Sequence, residues 1–306
     1  MKRKQFQKSL LAVMVGAIST QVLAVDVDLG AGKTMFISET YNESLVLTGQ
    51  TTQVVDQNST AAAGLGVANT HIQGSLINRA DITLNADGRT IRGIALDPMY
   101  WTGPQNLSPG SVTGNVEQAG IISMNNGGDE GMEIGKTVIG GSVINSGTIR
   151  STPPSTPAPF PSFIGGGEGI YLHGTTIAGD VSNTGLIDMA GEGAIGIILD
   201  RDNNTPTTIG GKILNSGTIK ATGEGAWGIE VETDTSPLRI ENSGLISARR
   251  NSSRSWLRLV QKLSSSSRAS AAAASLITTD SLGNAAICRR SLAISRAAMS
   301  EWPLSL

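Results

Sequence analysis

One short phrase recurs along this chain and restricts it to a repeat architecture. Gly141-Ser-Val-Ile-Asn-Ser-Gly-Thr-Ile149 returns as Gly179-Asp-Val-Ser-Asn-Thr-Gly-Leu-Ile187 and as Gly211-Lys-Ile-Leu-Asn-Ser-Gly-Thr-Ile219. Altered copies begin at Gly74, Gly114 and Arg239. A second phrase sits between the copies, as in Gly223-Glu-Gly-Ala-Trp-Gly-Ile-Glu-Val231, Gly191-Glu-Gly-Ala-Ile-Gly-Ile-Ile-Leu199 and Gly167-Glu-Gly-Ile-Tyr-Leu172. Gln118 to Asn145 spans 27 residues, and so does Asn215 to Asn242. Longer steps hold insertions: Pro-rich Ser151–Pro161 in one and Asp200–Thr205 in another. Self-similarity at this period is the mark of a solenoid.

Within a phrase, apolar residues alternate with Gly, Asn, Ser or Thr. Val143, Asn145, Gly147 and Ile149 share one parity, which is the period of a strand. The body lacks a sustained helical periodicity. The pattern predicts an all-β fold: a parallel β-helix of about six rungs of ~27 residues, with two or three short strands per coil and coils stacked about 4.8 Å apart. Equivalent residues then lie above one another. Asn78, Gln118, Asn145, Asn183, Asn215 and Asn242 are expected to form an amide ladder, because a buried amide needs hydrogen-bond partners.

Residues 1–24 read as a secretory signal. Lys2, Arg3, Lys4 and Lys8 precede the apolar run Leu10–Ile18, and Val22-Leu23-Ala24 fits a small-residue cleavage site. Export gives meaning to the cysteine count. The only cysteine is Cys288, so an exported body over 25–248 relies on its ladder and core instead of disulfides. Residues 25–71 lack the phrases and are expected to form an irregular N-terminal cap, with the repeats confined to 72–248.

The chain changes character after Ala248. Of 38 glycines, only Gly283 lies beyond. Residues 249–306 carry 9 basic and 2 acidic side chains, whereas the whole chain is at −2. A Ser/Arg/Ala-rich stretch of this kind suits a basic patch for nucleic acid or anionic lipid, a linker, or an out-of-frame translation. The last is the favoured expectation, because a second phrase is due near 255 and the repeat is interrupted midway. It makes 249–306 a non-solenoid tail with no nucleic-acid partner.

The signal, the Ile-x-Asn-x-Gly-x-Ile repeats and the cysteine-free body together resemble the passenger region of a Gram-negative autotransporter over residues 1–248. The resemblance implies a right-handed parallel β-helix displayed at the cell surface and carried by a C-terminal β-barrel. Residues 249–306 supply no such barrel pattern, so the expectation is a truncated or frameshifted member. The implied location is the periplasm, cell surface or outer membrane of a Gram-negative bacterium. The implied function is non-enzymatic and adhesin-like, with glycans, matrix or the same protein as partners and the export machinery engaged through the signal. The alternative is a β-helix enzyme acting on extracellular polysaccharide.

No motif with a catalytic mechanism stands out, and no cofactor or metal is expected. His71 and His173 are the two histidines, and each is expected at a surface turn. Gly30-Ala-Gly-Lys-Thr34 lacks the full spacing of a phosphate loop. Asp200-Arg-Asp-Asn-Asn-Thr205 alternates oxygen ligands in the manner of a Ca²⁺ loop, but reads more simply as a polar turn. Glu168, Glu192 and Glu224 are expected to stack as a row of surface charges.

Overall fold

The computed structural model describes residues 24–55, 63–86, 91–96, 108–126, 130–153, 167–232 and 239–248, and the backbone of three later strands, Leu257–Leu259, Ala274–Thr279 and Ala285–Leu292. The signal segment and most of the Pro-rich insertion lie outside the described residues. The fold is all-β, a parallel β-helix built from stacked sheets. One coil shows the plan: Val138–Ile139, Val143–Asn145, Thr148–Ser151 and Glu168–His173 follow one another in the chain. Each joins a different sheet. We name these the corner, amide, isoleucine and glycine sheets. They stack six, eight, seven and eight strands respectively, and the glycine sheet carries one further strand, Thr205–Pro206, off its stacking path.

Strands pair in parallel with their equivalents one coil away. In the amide sheet, Val116, Val143, Val181, Ile213 and Ile240 occupy one register position. In the isoleucine sheet, Ile82, Ile122, Ile149, Ile187, Ile219 and Ile246 do the same. These columns meet in one interior with Met132, Ile134, Ile170 and Leu172 of the glycine sheet. β-Branched side chains suit the pleated backbone, and removing them from water supplies the main driving force.

The two sequence phrases are joined by one packing contact. The glycines of the second phrase stack as Gly93, Gly131, Gly169 and Gly196. A Cβ on each would lie 2.2 or 2.3 Å from the Cγ2 of Ile122, Ile149, Ile187 and Ile219 respectively. It would also press on the carbonyl of the next glycine in the column, at 2.4–2.7 Å. The isoleucine of phrase one therefore requires the glycine of phrase two.

Three expectations are corrected. Among the described residues six coils carry four strands each, not two or three. The corner strand is only two residues long, too short for alternation to register in the sequence. Residues 25–71 are not an irregular cap. Ala24–Asp28 and Ser44–Thr48 add two strands to the amide sheet, and Gln50–Val55 and Ala63–Ala68 join the isoleucine and glycine sheets. The phrase is unrecognisable there because Leu47 takes the register position of Asn78. Finally, the sheet pairing runs past residue 248: Leu257–Leu259 pairs in parallel with Trp227–Val231. Ala274–Thr279 and Ala285–Leu292 pair antiparallel with each other.

The N-terminal end closes locally. Asp28 accepts from the Gly30 amide at 2.8 Å and caps a 3₁₀ turn, Leu29–Ala31. That turn folds Leu29 over the interior, where it is buried. Gly49, at φ +78, leaves space for the Asp28 carboxylate, which a Cβ would meet at 1.9 Å.

Gly169→Ala should lower stability by about 1–3 kcal/mol through overpacking against Ile187. Thr176→Ala, on an exposed corner position, should stay within about 0.5 kcal/mol. Urea-unfolding midpoints of the two variants check the contrast.

Candidate functional site

The six amides identified from the sequence occupy one column of the amide sheet. Asn78 Nδ2 donates to Gln118 Oε1 at 2.6 Å. Asn145, Asn183 and Asn215 each donate to the Oδ1 of the next Asn, at 2.7 Å in every case. The same Nδ2 groups reach the backbone carbonyls of Leu186, Thr218 and Leu245 at 3.2–3.3 Å. One link differs: Gln118 and Asn145 share the register position without a side-chain bond. At the N-terminal end of the column Asn78 Oδ1 accepts from the Ala80 amide.

Two further polar columns escaped the sequence reading. Thr70, Thr137, Thr175 and Thr207 are buried. Each hydroxyl donates to a carbonyl of the preceding coil: Phe36, Leu96, Ile134 and Leu172 respectively, at 2.9–3.2 Å. The second column satisfies backbone amides. Ser44, Ser75, Asn115, Ser142 and Asp180 accept from the amides of Ser75, Asn115, Ser142, Asp180 and Lys212. A constant offset was the available signal. The threonines stand eight residues before Asn78, Asn145, Asn183 and Asn215, and Ser75, Asn115, Ser142 and Asp180 stand three before their ladder residues. The acceptor column ends where Lys212 takes the position. There Lys212 and Arg239 both contact Glu241, and the hydrogen bond from Lys212 holds its carboxyl below the usual range.

A charged cluster lies on the glycine sheet. Arg92 Nε is 3.1 Å from Glu130 Oε2 and 2.5 Å from Glu133 Oε2. Glu133 Oε1 is 3.2 Å from His173 Nε2, and the His173 ring stacks on Tyr171 at 4.7 Å. The cluster spans three coils, because Arg92, Glu133 and His173 belong to successive strands. It is shielded from water: the Glu133 side chain is 0% exposed and that of His173 is 5%. Position explains the mixed character. Ala95, Glu133, Tyr171, Ile198 and Glu230 share one register position, between the inward columns of Met132 and Ile134.

Several expected surface features change. His173 is not at a surface turn: it ends the strand Glu168–His173 and is buried. His71 is exposed, and its Nδ1 is 2.9 Å from Ser111 Oγ. That pair belongs to a corner column running Thr40, His71, Ser111, Val138, Thr176, Thr208. The three glutamates do not form one row. Glu168 shares a register position with Glu130, Ile195 and Trp227, because phrase two has three more residues before its strand in the later copies. Glu192 and Glu224 remain exposed on glycine turns.

The other sequence candidates resolve into turns. Asp202 and Thr205 close an antiparallel hairpin around Asn203, which has φ +54, and Lys136 Nζ meets Asp202 at 2.5 Å. Among the described residues no group of three or more His, Cys, Asp or Glu is placed to hold a metal ion. Gly30–Thr34 forms the N-terminal turn, and Lys33 bonds Glu39 at 2.9 Å and sits over Phe36. The Glu39 carboxylate raises the Lys33 pKa above its ordinary value.

Asn183→Ala orphans a donor on Asn145 and an acceptor on Asn215, and should cost about 1–3 kcal/mol per buried group. Asn242→Ala, at the last described level, should cost less. Glu133→Gln leaves Arg92 with weaker compensation and should cost about 3 kcal/mol. Denaturant titrations rank all three. Compared with known proteins, the chain matches no family model, no curated protein and no solved structure.

Proposed function

We propose that this chain is the exported passenger of an autotransporter-type surface protein, a non-enzymatic, adhesin-like binding scaffold. The observation that carries the reading is the in-register stacking of coils from Ala24 to Ala248. Each sheet then repeats its outward positions about every 4.8 Å, and a partner with its own repeat gains from many weak contacts at once. Glycans, matrix or a second copy on a neighbouring cell have that character. The basic leader Lys2–Lys8 and its apolar run support export. Among the described residues no helix is long and apolar enough to cross a membrane.

The second reading is a β-helix enzyme acting on polysaccharide. Its candidate is Glu130 and Glu133, two carboxylates on one strand beside His173. Their burial counts against it, since a general acid or base has to reach its substrate.

The test uses the full chain expressed in a Gram-negative host. Fractionation followed by N-terminal sequencing should find the protein outside the cytoplasm, beginning at Val25. Purified protein should be retained on glycan or matrix surfaces without degrading them. Retention in the cytoplasm with an intact leader would overturn the export reading. Polysaccharide turnover lost in Glu130→Gln or Glu133→Gln would establish the enzyme instead.

A further inference from the structure

The amide column is continuous in register but interrupted in bonding. Gln118 lies beside Asn145 in the parallel pairing of Val116–Gln118 with Val143–Asn145. The backbone across this interface is intact, with Ser146 and Gly147 donating to the Gln118 carbonyl at 2.8 and 3.0 Å. Both side chains are fully buried, at 0% exposure. Yet Gln118 Nε2 and Asn145 Oδ1 each lack a hydrogen-bond partner. The two atoms are a donor and an acceptor in the same sense as the bonded links from Asn145 to Asn242. Their chemistry is therefore right and their placement is not. Gln118 carries one more methylene than Asn, and its Oε1 is already held by Asn78. That bond fixes which way the longer amide turns.

In a stack of coils, stability is a sum of coil terms and nearest-neighbour interface terms, and the weakest interface decides where the array parts. Buried polar atoms without partners weaken an interface strongly. The neighbouring coils show what is lost. At the next two interfaces Thr184 and Gly185 donate to the Asn145 carbonyl, and Ser216 and Gly217 donate to that of Asn183. There the same backbone pattern is accompanied by the 2.7 Å side-chain bond.

We infer that the solenoid opens first between the coil of Gln118 and the coil of Asn145, so that it behaves as two cooperative units. The first ends with the strand Glu130–Gly135 and the second begins with Val138–Ile139. The Glu133–His173 contact joins the same two coils across the glycine sheet. Opening therefore starts on the amide sheet, where the side-chain link is missing, and the glycine sheet holds longest. A solenoid with such a seam yields at one defined place under force or during passage through an export channel.

Amide-resolved hydrogen exchange on the full chain tests this. In the unaltered protein, Ser146 and Gly147 should exchange about tenfold faster than Thr184 and Gly185, or than Ser216 and Gly217. Gln118→Asn should remove that difference by letting the shorter amide join the column. Asn183→Gln should create a new fast pair at Ser216 and Gly217. The ratios are read within each sample, so a change in global stability cancels. Equal protection of the three pairs in the unaltered chain overturns the inference. So does a ratio that neither substitution moves.

Discussion

Each coil of this molecule must be compatible with itself one strand spacing away. Parallel, in-register stacking places like beside like, so a side chain survives only if a copy of it is an acceptable neighbour. Isoleucine meets isoleucine and gains dispersion contacts. Asparagine meets asparagine and is both donor and acceptor to its copy. Glycine meets glycine where the backbone passes too close to an isoleucine for any Cβ. A carboxylate meeting its copy is unfavourable, and the described valine, isoleucine and amide columns hold none; Glu130 and Glu168 stand at adjacent levels of the glycine sheet, where Arg92 lies 3.1 Å from Glu130.

The charged cluster on the glycine sheet obeys the same rule by breaking the repeat. Glu133 has Ala95 before it and Tyr171 after it in its column, so it never faces a carboxylate there. Its partners come from neighbouring positions: Arg92 from the coil before and His173 from the coil after. Buried ion clusters of this kind add little net stability but are costly to break. Their effect is to specify which coil lies next to which, a distinction that identical hydrophobic columns leave open.

Three polar columns divide the work of satisfying buried groups. The amides serve the turn after the amide strand, the threonines serve the carbonyls that lead into the corner strand, and the short polar residues serve the amides before the amide strand. None needs a disulfide, a metal or an aromatic core. This suits a chain with 4% aromatic residues and a single cysteine. The Gln118 level shows how finely the arrangement is tuned, since one extra methylene keeps the register and loses the bond.

The sequence by itself determined the strand period, the 27-residue unit and the identity of the ladder residues, because alternation and repetition are local and survive in one dimension. It did not reveal the first two levels, since Leu47 substitutes for the marker amide while filling the same interior position. Nor did it show that His173 is buried, that Glu168 leaves the row of Glu192 and Glu224, or that Arg92, Glu133 and His173 converge from strands about 40 residues apart in sequence. Insertions of different length separate these residues along the chain, and only the pairing of successive coils restores their common level. The tertiary structure alone decided which side chains meet across coils, because that depends on register, and register is set by the sum of all the columns at once.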